Sequence, residues 1–421
     1  MSNTTEVPKI LPLPDAQDRG VTATREDAVF TAQRVRIYSI ALVAGALILP
    51  MLMFVRGVWL VNPEGAALPS DFLSFWSAGH LALEGRATAV YDFVALRAIE
   101  AQTVGVPFEG FFSFFYAPIF LLVMAPLAVL PYVWAFSIWG AGTLLLYLAV
   151  IRAIVPRPIA LALALAWPPA ILNFLDGQTG FLAAALLGGS LIFLESRPLA
   201  AGILLGLLTF KPQFGILVPL VLVLKGHWRV LLSAIVTAAL LTAFSLAFFG
   251  SETWESFIRS APLANNLVLE RGLTGWNKLQ SVYAVARWLG VGSTTAWCAH
   301  GVIAVATCVV VCWTWLRSEH YELKAAALSA GTFIVTPYVL FYDLAGLAVP
   351  IAFLIRHGLA RGFLRGERTL LACLPLITIP LPWLGVMPLG LVTALTLMGA
   401  VIAHQRESGL PMLRPRSLSP V

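Results

Sequence analysis

Long apolar runs separated by short polar segments are the dominant pattern of this chain. The first run covers residues 37–55, and a helix needs about 20 apolar residues to cross the hydrocarbon core of a bilayer. Later runs occupy residues 116–130, 133–151, 158–171, 180–194, 198–224, 230–249, 296–316, 325–339, 344–355, 369–384 and 389–403. The pattern predicts an all-α polytopic membrane protein with about 12 transmembrane helices, within a range of roughly 11–13.

Composition agrees with a membrane protein. Of the 421 residues, 59% are hydrophobic and 11% are charged, whereas a soluble domain carries roughly 25% charged residues. The net charge is +6. Because the basic residues lie between the apolar runs, we interpret them as topology signals and predict no nucleic-acid partner.

These basic residues also predict the domain organisation. Arg34 and Arg36 precede the first run and mark the cytoplasmic side. The polar segment 1–33 has no signal-peptide core and is predicted to be a cytoplasmic tail. Residues 34–405 then form the transmembrane domain, with external loops at about 57–113 and 250–292, and residues 406–421 form a second cytoplasmic tail. The first external loop has a helical pattern, which is typical of a functional loop.

The middle of the chain allows two topologies. If every run crosses once, Asp176 and Gln178 lie on the cytoplasmic side, and the run 198–224 is one span broken at Lys211. If one run is short or re-entrant, Asp176 and Gln178 move outside and Lys211 lies at an outer tip. Broken helices are tolerated where they are buried in protein, so both topologies are physically allowed.

Asp71 follows the first span, in the segment PSDFLSFWSAGHLALEGRATAVY that also contains Trp76. One interpretation is a general base that takes a proton from a sugar hydroxyl within hydrogen-bond reach. The other is a helix cap, because Ser70 and Asp71 precede a helical pattern and both residue types cap well.

Three further polar positions interrupt or border apolar runs. Tyr116 starts a helix before a proline or borders an external cavity. Asp176 and Gln178 form a turn around Gly177 or a polar cluster near a sugar or phosphate. Lys211 reaches towards an interface or, if it lies deep, binds phosphate as a point charge.

The second half offers two more groups. Lys278 and Gln280 lie in the segment WNKLQSVY, which suits either sugar binding or a helix at the headgroup level. Tyr342 and Asp343 follow the apolar run 325–339. Asp343 is either a loop acid, or the two residues form a second wall of the external site. The histidines are scattered and no DxD pair occurs, so we predict no metal site and no cofactor.

Six segments carry a resemblance to a known family: PSDFLSFWSAGHLALEGRATAVYD, FYAPIFLLVMAPLAVLP, NFLDGQTGFLAAAL, RPLAAGILLGLLTFKPQFGILVPLVLVLKGHWR, WNKLQSVYAVARWLG and TPYVLFYDLAGL. In order and context they resemble the polyprenol-phosphate-mannose-dependent mannosyltransferases of glycosyltransferase family 87, from about residue 34 to residue 350.

The resemblance implies a GT-C fold and transfer of a hexose such as mannose from a polyprenyl-phosphate carrier. The acceptor would be a glycan or glycolipid on the external, periplasmic face of the cell (inner) membrane. Asp71 is then the expected catalytic base, and Lys211, with Arg271, would offset the charge of the departing phosphate. It also favours an external position for Asp176 and Gln178.

Two other functions fit parts of the pattern. A flippase or transporter for a lipid-linked sugar would use charges at mid-membrane and alternating access. A structural membrane protein would account for the apolar bulk but not for polar groups gathered at one face.

Overall fold

The computed structural model describes residues 31–106, 108–110, 112–276, 278–378 and 389–409. Most of the two predicted tails, residues 1–30 and 410–421, lies outside these described residues. Within the described ranges every secondary-structure element of three or more residues is a helix, in agreement with the predicted all-α class.

The chain forms eighteen described α-helices. They are α1 (Ala32–Val55), α2 (Asp71–Leu83), α3 (Phe93–Val104), α4 (Leu121–Ala128), α5 (Tyr132–Ile154), α6 (Ile159–Leu165), α7 (Pro168–Asp176), α8 (Gly180–Phe193), α9 (Pro198–Leu207), α10 (Val218–Leu224), α11 (Trp228–Phe249), α12 (Ser251–Asn265), α13 (Val282–Trp288), α14 (Ser293–Arg317), α15 (Tyr321–Val335), α16 (Ala348–Arg361), α17 (Glu367–Ile377) and α18 (Leu389–Gly409). Short 3-10 helices cover Ala87–Tyr91, Pro118–Phe120, Leu208–Phe210, Pro212–Gly215 and Phe341–Leu347, and a π-helical segment covers Asn266–Glu270.

The predicted count of about 12 spans is not confirmed. Six described helices are long and apolar enough to cross a membrane, and a seventh candidate is the pair α6 and α7, which meet at a 60° bend. The bend lies at Trp167, just before Pro168 and Pro169, and proline disfavours helical geometry in the residue before it. Four more apolar stretches form helices of only 10–17 residues: Pro118–Ala128, Gly180–Phe193, Pro198–Phe210 and Pro212–Leu224.

The start of α5 and the start of α2 lie on the same face of the helical bundle. The hydroxyl groups of Ser70 and Tyr132 are 2.8 Å apart. Tyr116, just before the apolar stretch Pro118–Ala128, reaches Gln178 and through it Asp71, so both ends of this stretch lie near the same face. This is the arrangement that the re-entrant alternative predicts, and α5 is the next candidate span.

Central and peripheral helices differ in burial. In the candidate span Phe341–Arg361, 78% of the most apolar window is buried, against 11% in Arg36–Val55 and in Trp228–Phe249. The latter two therefore leave most of their surface uncovered by the protein, while Phe341–Arg361 forms the centre of the packed core. α2 packs against α4 through Gly79, where a Cβ atom would overlap the carbonyl group of Met124.

Candidate active site

Asp71 is the first residue of α2, and its side chain does not cap the helix. Ser70 occupies the cap position, but its hydroxyl pairs with Tyr132 and makes no capping hydrogen bond. The Asp71 carboxylate instead accepts a hydrogen bond at Oδ2 from Gln178 Nε2, at 2.8 Å. A negative charge in the first helical turn is also favoured by the helix dipole.

Gln178 reaches Asp71 from a tight turn between α7 and α8. Gly177 ends α7 with a φ of +64°, and a Cβ atom there would overlap Phe72 and Phe136. Two indole groups hold the backbone of this turn: Trp59 Nε1 donates to the Leu175 carbonyl at 2.8 Å. Trp139 Nε1 donates to the Gly177 carbonyl, also at 2.8 Å.

Tyr116 connects this turn to the first loop. Its hydroxyl lies 3.1 Å from Thr179 Oγ1 and 3.5 Å from Gln178 Oε1. Its backbone carbonyl accepts a hydrogen bond from the Tyr91 hydroxyl at 2.9 Å. Tyr116 thus lies just before the helical turn that starts at Pro118 and contacts the Gln178 turn.

Lys211 lies in the break between the 3-10 helices Leu208–Phe210 and Pro212–Gly215, and only 4% of its surface is exposed. Its Nζ donates to Asp343 Oδ1 at 2.5 Å. Asp343 is equally buried, and its Oδ2 accepts from the Leu340 backbone N–H at 3.1 Å. The ammonium group also lies 5.3–5.7 Å from the ring centres of Tyr116, Phe214 and Tyr342.

The contacts join into one chain of side chains. Asp71 binds Gln178, Gln178 binds Tyr116, and the Tyr116 ring faces the Lys211 ammonium group, which pairs with Asp343. Residues from five distant parts of the sequence therefore meet at one face of the bundle. We call this set, with Thr179, the Asp71 network.

The second long loop lies against the same face. Leu279 forms an isolated β-bridge with Leu340, and the Gln280 backbone N–H donates to the Val339 carbonyl at 2.7 Å. Lys278 is exposed beside this bridge. Both Lys278 and Lys211 act as positive charges on Asp71.

Three predicted site residues have other surroundings. Trp76 donates from Nε1 to the Leu130 carbonyl at 2.9 Å and stacks on His80. Gln280 is buried, and its Oε1 accepts from the Gly390 backbone N–H at 2.9 Å. Arg271 is exposed after the π-helical segment. Trp76 and Gln280 therefore hold helices together in this structure.

The electrostatic setting of Asp71 differs from that of a surface carboxylate. Burial raises the pKa of Asp71 above its usual range, while the Gln178 hydrogen bond and the charges of Lys278 and Lys211 oppose the rise. Asp176 adds a second carboxyl group near Asp71. Within the described residues, no group of three or more His, Cys, Asp and Glu side chains is arranged to hold a metal ion.

Comparison with known families shows which family this chain belongs to. The family model described as Glycosyltransferase family 87 matches residues 114–340, more than half of the chain. The chain belongs to glycosyltransferase family 87. No curated protein and no solved structure matches it. Membership makes this family 87 protein a membrane glycosyltransferase.

The matched region covers only part of the Asp71 network. Tyr116, Gln178 and Lys211 lie inside it, whereas Asp71 and Asp343 lie outside. The contacts of the family 87 protein, and not the family match, therefore connect Asp71 to the matched residues.

Sequence reasoning missed several residues of the site. Tyr91, Thr179 and the two indole donors Trp59 and Trp139 were not predicted to contact it. An interfacial tryptophan and one that holds a turn look alike in a sequence, because both lie near the end of an apolar run. Thr179 directly follows Gln178, and this adjacency was the available signal.

Proposed function

We propose that this protein moves a hexose such as mannose from a polyprenyl-phosphate carrier to a hydroxyl group of a glycan or glycolipid. The reaction would take place on the external face of the cell membrane, with Asp71 as general base. Family membership supports sugar transfer at a membrane. The position of the Asp71 network at one face of an apolar bundle supports a lipid-linked donor, whose tail would remain among the helices.

The observation that carries this proposal is the state of the Asp71 carboxylate. Oδ2 is occupied by the Gln178 amide at 2.8 Å, whereas Oδ1 has no hydrogen-bond partner among the described residues. Asp71 is half-buried and not sealed. An oxygen atom that is fixed, partly desolvated and unoccupied is what a general base presents to an incoming hydroxyl group.

One base from the protein is enough to account for every proton and bond in this reaction. The acceptor oxygen attacks the anomeric carbon, and its proton passes to Asp71 Oδ1. The bond between the anomeric carbon and the phosphate oxygen breaks, and its electron pair leaves with the polyprenyl phosphate. Lys278 and Lys211, both positive charges near Asp71, would stabilise that developing charge. Such a displacement needs no nucleophile from the protein.

Lys211 supports this role less directly than Lys278 does. Its ammonium group is already paired with Asp343, so a donor phosphate would have to share or replace that partner. Lys278 is exposed and belongs to the loop beside the network. We therefore assign the first contact with phosphate to Lys278.

The test is transfer of radiolabelled sugar from a panel of polyprenyl-phosphate sugars into acceptors from native membranes. Asp71→Asn is expected to lose about 10²- to 10⁴-fold in turnover and to retain donor binding. Asp92→Asn is the matched control, because Asp92 caps α3 through the backbone N–H groups of Val94 and Ala95 and asparagine caps equally well.

The outcomes separate transferase from transporter. A transporter of lipid-linked sugar would keep its flux in Asp71→Asn, since the acid lies in a loop and not in the translocation path. Label that enters no acceptor with any donor of the panel would contradict the transferase.

A further inference from the structure

We propose that Gln178 is a positioning residue that fixes the Asp71 carboxylate and keeps it ionised, and that it does not bind the sugar. The inference rests on the proposed function, since it assigns how the base of that reaction is prepared. It differs from the sequence-based prediction, in which Gln178 contacts the substrate.

The orientation of the Gln178 amide follows from its partners. Oε1 lies 3.3 Å from the backbone nitrogen of Thr179, and a backbone N–H can only donate. The atom facing Thr179 must therefore be the amide oxygen, so the NH₂ group faces Asp71. The Tyr116 hydroxyl reaches the same oxygen at 3.5 Å. The Thr179 N–H thus selects the amide orientation that donates to the carboxylate, and the Tyr116 hydroxyl is compatible with it because it can donate to Oε1.

The backbone under Gln178 is held on both sides. Before it, the Gly177 carbonyl accepts from the Trp139 indole at 2.8 Å. After it, the Gly180 backbone N–H donates to Asn173 Oδ1 at 2.7 Å. Gln178 itself is only 5% exposed. The entropy of ordering the amide is therefore lost on folding and not when substrate binds, which is the basis of preorganisation.

Two consequences for Asp71 follow from this geometry. The amide donates to the ionised carboxylate, so it favours the charged form against the effect of burial. It also occupies Oδ2 alone, so the proton from an acceptor arrives at Oδ1. A glutamine that bound sugar would instead need its NH₂ group free.

The rate of sugar transfer should depend on pH through the ionisation of Asp71. Transfer requires ionised Asp71, so the rate falls on the acid side as pH drops through the pKa of that carboxyl. Loss of the amide donor raises this pKa further, because burial then acts with less opposition. The acid limb of the pH–rate profile should therefore move to higher pH.

The experiment compares kcat/KM against pH for the wild type, Gln178→Leu and Gln102→Leu. Gln178→Leu should move the acid limb up by roughly one to two pH units and recover part of its rate at alkaline pH. Gln102 is exposed on α3, so its leucine variant should reproduce the wild-type limb. A loss that is equal at every pH would overturn the inference, since that is what a purely structural or sugar-binding role predicts.

A second variant and a second measurement keep the test decisive if Gln178→Leu does not fold or has no activity. Gln178→Glu keeps the side-chain length and cannot donate when ionised, so its limb should move at least as far as in Gln178→Leu. Infrared difference spectra between wild type and Asp71→Asn follow protonation of Asp71 without any substrate. A wild-type midpoint in Gln178→Glu by this method would overturn the inference.

The two proposals fail separately. Full transfer by Asp71→Asn would contradict the assignment of Asp71 as general base, and with it the proposed function. An inactive Asp71→Asn, together with a wild-type protonation midpoint in the Gln178 variants, would remove only the positioning role.

Discussion

Lys211 and Asp343 are separated by 132 residues in sequence and form an ion pair of 2.5 Å in which both side chains are almost fully buried. The attraction of two such charges offsets the cost of removing them from water only when both are present. Lys211 interrupts the short helices α9 and α10, and Asp343 opens the most buried span. The ion pair therefore connects the break between α9 and α10 to the centre of the core.

Loss of one partner of this pair should be more damaging than loss of both. Asp343→Ala leaves a buried lysine without its counter-ion and should lower the free energy of unfolding by about 3–5 kcal/mol. Lys211→Met combined with Asp343→Leu should recover most of that loss. Unfolding in detergent, followed by intrinsic fluorescence, measures all three proteins.

The same double variant tests whether Lys211 has a role beyond stability. If Lys211 helps to bind phosphate, the double variant should be stable and still deficient in sugar transfer. Restored transfer together with restored stability would show that the pair is purely structural.

Ionisation of the buried Glu100 should destabilise the folded protein as pH rises. It is fully buried on α3, its Oε1 has no partner within the described residues, and its Oε2 is 3.4 Å from Arg97 Nη1. Burial raises the pKa of Glu100 to about 7 from 4.5. The folded protein thus binds this proton more tightly than the unfolded chain, so the stability from Glu100 is present below about pH 4.5 and lost as pH rises through about 7.

Glu100→Gln should remove this pH dependence. We expect it to stabilise the protein by roughly 1–3 kcal/mol at about pH 8 and by little at about pH 4. Thermal unfolding at the two pH values is the measurement. Glu109→Gln, at an exposed site of the same loop, should change stability by less than about 0.5 kcal/mol. An equal effect of Glu100→Gln at both pH values would contradict the assignment.

Gly180 is predicted to tolerate no side chain. A Cβ atom there would lie 2.5 Å from Asn173 Oδ1 and 2.6 Å from the Tyr342 carbonyl. Gly180→Ala should therefore displace both the Gln178 turn and the segment carrying Asp343, with a cost of about 1–3 kcal/mol and a loss of transfer. Gly142→Ala, where a Cβ atom meets nothing within 4 Å, should be neutral or stabilising by up to about 1 kcal/mol.

Both long loops should be accessible from one side of the membrane. In a variant without the four native cysteines, Glu64→Cys and Glu252→Cys should react with an impermeant thiol reagent from outside the cell. Lys225→Cys should not react, because the 22-residue helix α11 separates it from Glu252. All three positions are exposed, so access and not burial decides labelling. Reaction at Lys225→Cys from outside would overturn the proposed orientation.

The sequence predicted the class of fold better than its number of spans. The runs 37–55 and 230–249 each formed one long helix: α1, which continues through Pro50, and α11. The run 116–130 did not, since Pro118 and Pro126 leave only a short helix and a 3-10 turn. Apolar residues are favoured both inside a protein and in lipid. A re-entrant run can therefore have the same hydropathy as a run that crosses the membrane.

For the site, residue types were easier to predict than their partners. Asp71 was singled out by its place after the first span, and Lys211 by a charge within an apolar run. Their partners are 107 and 132 residues away, and no local pattern encodes such a distance. Trp76 and Gln280 have the chemistry of sugar-binding residues, and nothing in the sequence indicated that Trp76 Nε1 and Gln280 Oε1 bond to the backbone of Leu130 and Gly390.

The long separation of Lys211 from its counter-ion also matters during synthesis. Lys211 leaves the ribosome 132 residues before Asp343, and at roughly 5–20 residues per second it waits on the order of ten seconds. Throughout that delay the charge of Lys211, between the short helices α9 and α10, has no Asp343 to compensate it. We therefore expect Lys211 to reach its final position late, after the helix that begins near Asp343 has arrived.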